Sequence, residues 1–283
     1  MPLVSRPRAA VAALLVAAAT GAVVLYGANP AGRTAQDPPA VGQDGKDVEW
    51  VPTAEALIET MLDMAELGPD DVLMDLGSGD GRLVIEAARR GARAIGVEYD
   101  AELVSLSRER AADAGMSGQV TFLQADLFQI DLTEATVITL FLLPDLNLRL
   151  RPTLLDLAPG TRIVSNTWDM GDWTADETTQ LDPCPGFCTA LLWIVPARIA
   201  GIWTTEDGED TFRFDQQFQV ATGTLRRQNG NPLTLDDVAL TGDVLTFRAG
   251  GALYRGVADG DTITGTATTG GRQAAWTVTR AGR

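Results

Sequence analysis

The sequence predicts a doubly wound α/β domain followed by a small antiparallel β-module. Between residues 48 and 197, apolar runs of strand length alternate with segments of helical length, which is typical of a parallel sheet covered by helices. A glycine-rich turn at residues 77–81 joins one of these strands to a helix. From residue 198 to 283 the pattern changes to short alternating runs separated by Gly, Asp and Asn, which indicates antiparallel strands of a small barrel or sandwich.

Composition excludes several classes of function. The chain has 283 residues, a formal net charge of −16 and no histidine. The absence of histidine excludes Ser-His-Asp triads, Cys-His pairs and His-ligated metals, and two cysteines are too few for a structural zinc site, so no metal is expected. Cys184 and Cys188 form either a local disulfide or two free thiols. An acidic chain should repel nucleic-acid phosphates, so no nucleic-acid partner is expected.

The N-terminal region predicts a membrane-directed segment. Residues 1–27 hold an uncharged run at 9–26 preceded by Arg6 and Arg8. The run is long for a signal peptide and just long enough to span a bilayer, which favours an uncleaved anchor over a cleaved signal. The positive-inside rule would keep the arginines in the cytoplasm and let the body of the protein cross, but the sequence leaves the side of the membrane open. Residues 28–47, rich in Gly, Pro, Ala, Gln and Asp, predict a flexible linker.

The first elements of the α/β domain surround the glycine turn. Thr53 is the predicted N-cap of a helix that Gly68 ends, and the apolar positions of that helix repeat at helical spacing. A short buried strand is expected at residues 71–74, and a second helix runs from residue 83 to Gly91, its C′ residue.

The turn itself, Asp75-Leu76-Gly77-Ser78-Gly79-Asp80-Gly81-Arg82, has the spacing G-x-G-x-G. A dinucleotide site requires G-x-G-x-x-G, and Asp75 and Asp80 would repel a pyrophosphate. An acid at the strand end suits a ligand that carries a cationic amine.

The next two strands also end in acids. A strand at residues 93–98 ends in Glu98, whose two oxygens can accept both hydroxyls of a ribose. A helix at 101–114 leads to a strand at 119–124, after which come Asp126 and Leu127. Because parallel strands end at one edge of a sheet, Asp75, Glu98 and Asp126 should lie together where open α/β folds bind ligands.

The remaining elements complete the sheet. The expected order is an uncharged, mainly apolar strand at 135–142, a helix at 145–157 interrupted near Pro152, and a strand at 161–168. Residues 177–182 and 189–195 supply a closing antiparallel pair.

The motif at residues 75–82 resembles motif I of the class I, seven-strand S-adenosylmethionine-dependent methyltransferases. This resemblance implies a Rossmann-like sheet, S-adenosyl-L-methionine as cofactor, and a glycine turn under its methionine and ribose parts. It also implies that Glu98 binds the ribose and that Asp126 and the backbone of Leu127 face the adenine. The implied cofactor-binding residues of the turn and its strand are Asp75, Gly77, Ser78, Gly79 and Gly81.

A narrower resemblance covers residues 48–196. Residues 51–53, 75–82, 126–128 and 142–144, with Asn147 and Leu150, are similar to the group of lysine methyltransferases that act on the ATP synthase c subunit and the adenine nucleotide translocase, and to archaeal broad-specificity relatives. The resemblance implies that Pro52 and Thr53 close over the methionine end of the cofactor. The β-module departs from this group, so the protein substrate does not carry over.

The acceptor side is less defined. Nucleobase and glutamine methyltransferases carry an Asn/Asp-Pro-Pro-aromatic motif after the fourth strand. This chain has Phe141-Leu142-Leu143-Pro144 at that place, and these side chains cannot hold a planar amide by hydrogen bonds. Leu143, Pro144 and Trp168 are candidate substrate contacts, although packing is the stronger expectation for Trp168. No catalytic base is assigned. A protein lysine is the expected acceptor, with membrane proteins among the candidate substrates; a small molecule, a lipid, or a non-catalytic exported scaffold are the alternatives.

Overall fold

A computed structural model describes residues 50–184, 186–228 and 230–282. The predicted hydrophobic segment at 1–27 and the linker at 28–47 lie outside the described residues. In the ranges that the structure describes, no helix combines the length and the apolar character needed to cross a bilayer.

The first half of the described chain forms one mixed sheet with helices against it. Its helices are α1 (Glu55–Met64), α2 (Arg82–Arg89), α3 (Ala101–Asp113) and α4 (Pro144–Leu154). Its strands are β1 (Val72–Leu76), β2 (Arg93–Glu98), β3 (Val120–Gln124), β4 (Val137–Leu140), β5 (Arg162–Asn166), β6 (Glu177–Gln180) and β7 (Thr189–Ile194).

The strand order is β3-β2-β1-β4-β5-β7-β6. The first five strands are parallel, whereas β7 is antiparallel to both β5 and β6. The chain crosses over at β1, where the order reverses, and open α/β sheets bind ligands at such a switch point. The predicted alternation and the antiparallel closing pair are therefore confirmed.

Two local predictions were wrong. Helix α1 has Ala54 as its N-cap and no side-chain cap, because Thr53 accepts a hydrogen bond from Asn166 instead. Pro152 does not interrupt α4, which continues to Leu154, because a proline two residues before a helix end removes only one hydrogen bond near that end. The predicted apolar face of α1 is confirmed, since its members are buried: Leu57, Ile58, Met61, Leu62 and Ala65.

The second half forms a nine-stranded antiparallel sheet. Its strands are β8 (Gly201–Thr205), β9 (Asp210–Gln217), β10 (Val220–Arg227), β11 (Leu233–Thr234), β12 (Asp236–Thr241), β13 (Val244–Ala249), β14 (Ala252–Asp259), β15 (Thr262–Thr269) and β16 (Arg272–Arg280). The order is β11-β10-β9-β8-β16-β15-β14-β13-β12. Strands β10 and β12 lie against each other, so the sheet curls back on itself around an aromatic core.

The turn between β9 and β10 packs against the first sheet. The ring of Phe218 stacks on Trp173, with ring centroids 5.8 Å apart, and the guanidinium of Arg151 also lies over the Phe218 ring. Gln219 donates a hydrogen bond to the carbonyl of Thr174. The β-module therefore supports the loop between β5 and β6, which reaches the edge of the sheet where ligands bind.

Candidate cofactor and acceptor site

The glycine turn after β1 is pinned to the end of β2. The backbone N–H groups of Gly77 and Ser78 both donate to the carbonyl of Val97, at 2.8 and 3.0 Å. Gly79 and Gly81 have φ of 53° and 76°, a backbone region that favours glycine. A Cβ at Gly81 would lie 2.7 Å from both Phe122 and Ser107. The sequence therefore needs glycine here for both conformation and space.

Glu98 lies beside this turn, as the strand order predicts. Its Oε2 accepts from the N–H of Gly79 at 2.9 Å, and its Oε1 accepts from the N–H of Asp100 at 2.9 Å. Two backbone donors therefore orient the Glu98 carboxylate at the end of β2. The geometry is the one expected for an acid that binds a pair of hydroxyls.

Asp126 follows β3 and occupies the same edge. Its Oδ1 accepts from the N–H of Phe128 at 2.9 Å, and its Oδ2 from the side chain of Gln129 at 3.0 Å. The N–H of Ala125 donates to the carbonyl of Glu98, which ties the two strand ends together. Leu127, half-buried, packs against the apolar cluster under this edge.

Asp75 is the buried member of the group. Its side chain accepts a hydrogen bond from the hydroxyl of Thr139 at 2.7 Å, and only 7% of the residue is exposed. The pKa of Asp75 is raised to about 7, chiefly by burial and also by the charges of Glu98 and Asp80, which together outweigh the lowering effect of the Thr139 hydrogen bond. A cationic ligand at this edge would favour the ionised form.

Asp80 has a different role from the one its position suggested. It is buried and accepts from the guanidinium of Arg82 at 2.7 Å and from that of Arg110. The expectation that Asp80 repels a phosphate group loses its basis, because two cations compensate its charge. The acidic character of the site comes from Asp75 and Glu98.

The segment before α1 covers the glycine turn. The indole nitrogen of Trp50 lies so close to Gly79 that a Cβ there would overlap it. The carbonyl of Thr53 accepts from Arg82 at 3.2 Å, and its hydroxyl accepts from the amide of Asn166 at 3.3 Å. Trp50 and Thr53 thus lie beside the glycine turn and the start of α2, and closure of Pro52 and Thr53 over the methionine end of the cofactor stays a prediction. Sequence reasoning missed Trp50 and Asn166, which carry no motif of their own.

The acceptor-side candidates lie at the ends of β4 and β5. Leu143 is 45% exposed, and Pro144 is the first residue of α4, a position that suits proline. A Cβ at Gly77 would lie 3.0 Å from Leu142, so the segment after β4 borders the glycine turn. Trp168 is half-buried and faces Phe187, with centroids 6.4 Å apart.

The loop that joins β6 to β7 lies at this same edge of the sheet. Because β7 is antiparallel, its first residue, Thr189, lies beside the end of β5, and its carbonyl accepts from the N–H of Thr167 at 2.7 Å. Cys184 and Cys188 form a disulfide, with Cα atoms 5.7 Å apart, which resolves the alternative that the sequence left open. Sequence reasoning did not assign Phe187, which the disulfide loop holds 5.4 Å from Phe141.

The residues present fit a cationic nucleoside cofactor. The hydroxyl oxygen of Ser78 is buried in the glycine turn and has no hydrogen-bond partner among the described residues, so it can serve a ligand. The acids Asp75, Glu98 and Asp126 follow one another at the ends of the adjacent strands β1, β2 and β3. When bound, S-adenosylmethionine would supply a methyl group that its sulfonium makes electrophilic. The chain would orient it, exclude water and position the acceptor nitrogen.

Comparisons with known proteins identify the chain. The family model described as the ANTKMT methyltransferase domain matches residues 75–177. A protein-lysine N-methyltransferase of Saccharolobus islandicus is 34% identical over 151 residues, covering 52% of this chain and 94% of that protein. The Mus musculus lysine N-methyltransferase named for the ATP synthase c subunit is 35% identical over 133 residues, 46% of this chain and 53% of that protein. The chain therefore spans about half the length of that mouse relative.

A solved structure agrees on the class. An RNA methyltransferase from Salinibacter ruber in complex with S-adenosyl-L-homocysteine is 48% identical, with a TM-score of 0.50, and the match covers 53% of this chain and 96% of that one. The fold and the cofactor therefore define a class I S-adenosylmethionine-dependent methyltransferase. Within that class, the chain belongs to the family of the Saccharolobus islandicus protein-lysine N-methyltransferase.

Proposed function

We propose that this methyltransferase transfers a methyl group to the amine of a protein lysine. The observation that carries the proposal is the match to an archaeal protein-lysine N-methyltransferase over 94% of the length of that protein. The acceptor edge supports it. The segment after β4, residues 141–144, is apolar and offers no side chain that could hold a planar amide, whereas an amine needs only an apolar channel and a way to lose its proton.

The site residues have proposed roles. Asp75 and the hydroxyl of Ser78 would bind the methionine part over the glycine turn, with Pro52 and Thr53 above it. Glu98 would accept the ribose hydroxyls. Asp126 would accept a hydrogen bond from the amine of the adenine, beside the backbone N–H of Leu127. Support for these roles comes from the shared edge, the buried partner-less oxygen of Ser78 and the orientation of Glu98 by two backbone donors.

RNA is the second candidate acceptor, because the Salinibacter ruber protein is described as an RNA methyltransferase. The net charge of this chain argues against RNA as the acceptor. With 38 acidic and 22 basic residues it has a net charge of −16, and an RNA enzyme gains most of its affinity from contacts between cations and phosphates. A lysine-rich protein segment is the better electrostatic match.

A membrane-bound or exported location is also part of the proposal. Residues 9–26 are uncharged in sequence and long enough to cross a bilayer as a helix. The Cys184–Cys188 disulfide supports an oxidising compartment for the folded part. A membrane protein that exposes a lysine at the surface would then be a reachable substrate. Separating membrane and soluble fractions of the source cell, with antibody detection of this chain, tests this location.

The test of methyl transfer uses the purified full chain, methyl-labelled S-adenosylmethionine and separate protein, RNA and lipid fractions of the source cell. The chain has one lysine of its own, Lys46, so a Lys46→Arg variant removes self-labelling at lysine. We expect label in protein that yields methyl-lysine on acid hydrolysis. Glu98→Ala should abolish the label, whereas Glu102→Ala, an exposed acid on α3, should not. Label that appears only in RNA or only in lipid would overturn the proposal.

A further inference from the structure

Three aromatic rings stand together at the acceptor edge. Phe187 is 45% exposed at the hairpin tip, and its ring meets Phe141 edge-on, at 5.4 Å and 61°. Trp168 also faces Phe187, at 6.4 Å and 58°. Phe141 directly precedes Leu142, which contacts the glycine turn. The group, which we name the aromatic wall, therefore borders the place where the cofactor's methionine end is proposed to lie.

The backbone around the wall is held in uncommon conformations. Thr167 and Phe187 have φ of 65° and 51°, in a region that residues other than glycine rarely occupy. Such strain persists where the surroundings fix it, and it is concentrated at functional sites. Here the surroundings are the disulfide, which closes the loop around Phe187, and two side chains that donate to the carbonyl of Trp168: Asn147 at 3.1 Å and Ser165 at 2.7 Å.

Two acidic residues are neighbours of the wall in the sequence. Asp169 follows Trp168 and Asp182 precedes the disulfide loop; neither forms an ion pair with any residue that the structure describes. Within the same described ranges, arginines lie over other rings, those of Phe128, Phe218 and Trp203, and not over the aromatic wall. The exposed faces of the wall are therefore accessible to a cation from outside the chain.

We infer that Phe141, Trp168 and Phe187 form the binding site for the acceptor's ammonium or methylammonium group, and that the Cys184–Cys188 disulfide holds Phe187 in that site. The inference rests on the proposed transfer to an amine and adds the residues that select the acceptor. A ring face attracts a cation more strongly than it attracts a neutral group of equal size, so the wall would distinguish an amine from a hydroxyl or a neutral apolar group. Loss of the disulfide would release Phe187 and weaken the site.

The test measures binding of tetramethylammonium, with tert-butanol as a neutral probe of similar shape, by titration of the full chain saturated with S-adenosylhomocysteine. We expect the wild type to bind the cation at least ~fivefold more tightly than the alcohol. Phe187→Leu keeps an apolar side chain but removes the ring, and it should lower the affinity for the cation about fivefold while leaving that for the alcohol unchanged. Phe187→Trp should keep the affinity for the cation. The Cys184→Ser/Cys188→Ser variant should behave like Phe187→Leu.

Each outcome is decisive. Equal affinity of the wild type for both probes, or an unchanged affinity for the cation in Phe187→Leu, would overturn the aromatic site. An unchanged affinity in the double serine variant would overturn the role of the disulfide. Affinity for S-adenosylhomocysteine shows whether each variant is folded. The titration needs no methyl transfer, so failure of the proposed function would appear separately, as missing methyl-lysine while the cation still binds.

Discussion

Burial of the Asp75 carboxyl predicts a stability that depends on pH. Its pKa is 3.8 when exposed and about 7 in the fold, mainly because burial disfavours the charged form. Well below pH 3.8 the Asp75 carboxyl is protonated in both the folded and the unfolded state, so its burial as a charge does not lower the free energy of unfolding. As the pH rises from 3.8 to 7, the unfolded chain loses this proton first, so the folded state becomes less stable. Above pH 7 both states are ionised and the penalty stays constant at about 4 kcal/mol, from about three pKa units at 1.36 kcal/mol each.

Asp75→Asn isolates this effect. The amide oxygen can still accept the hydrogen bond that Thr139 donates, and the amide does not titrate. The difference in free energy of unfolding, variant minus wild type, should therefore rise with pH. Integration of the linkage relation gives a rise of about 3 kcal/mol between pH 5 and pH 8.5. The constant cost of burying an amide cancels in this difference.

Urea denaturation of both proteins, without cofactor, at half-unit steps of pH provides the measurement. Other titrating groups contribute equally to both proteins and cancel. A difference that stays within about 0.5 kcal/mol from pH 5 to 8.5 would refute the reasoning, because the Asp75 carboxyl would then titrate alike in both states.

The same variant should bind S-adenosylhomocysteine more weakly. At pH 6.5 the wild type should release more protons on binding than the variant, because a cationic ligand favours the ionised form of Asp75; calorimetry in buffers of different ionisation enthalpy measures the difference.

Three further substitutions test the remaining parts of the site and its support. Glu98→Ala should lower the affinity for S-adenosylhomocysteine at least ~thirtyfold, since two charge-assisted hydrogen bonds would be lost; an affinity within about threefold of wild type would contradict the ribose role. Asn166→Ala should lower the same affinity about fivefold by freeing Thr53, and calorimetry that shows no change would remove this link from the site. Phe218→Ala should reduce the free energy of unfolding by about 2 to 3 kcal/mol through lost packing on Trp173, against less than about 0.5 kcal/mol for the exposed control Val220→Ala; equal effects in urea denaturation would contradict the packing role.

The cofactor half of the site could be predicted because its signals are local. The strands that lead to Asp75, Glu98 and Asp126 are short runs in the sequence, and parallel pairing brings their ends together without any knowledge of side-chain contacts. The glycine turn is likewise contained in one continuous stretch, residues 75–82. Features that follow from hydrophobic periodicity and strand order were therefore predictable from the sequence.

The contacts that close the site were not predictable in the same way. Thr53 and Asn166 are 113 residues apart, and neither lies in a pattern that indicates the other. Local propensity favoured Thr53 as a helix cap, and this distant partner took its hydroxyl instead. The place of Phe187 depends on the antiparallel direction of β7 and on a disulfide that the spacing of two cysteines left undecided. Long-range contacts leave no periodic trace in a single sequence.

This division between local and long-range signals also separates the cofactor from the acceptor. The edge of β1, β2 and β3 holds Asp75, Glu98 and Asp126, and an RNA methyltransferase that is 48% identical over the matched 53% of this chain has the same fold. The edge of β4, β5 and β7 holds the apolar segment after β4, the aromatic wall and two acids without an ion pair among the described residues. Binding an acceptor amine requires those features, whereas binding a phosphate backbone does not. The acceptor should therefore follow the β4–β7 edge, and exchanging residues 181–188 between this chain and an RNA-specific relative should change acceptor preference while leaving cofactor affinity unchanged.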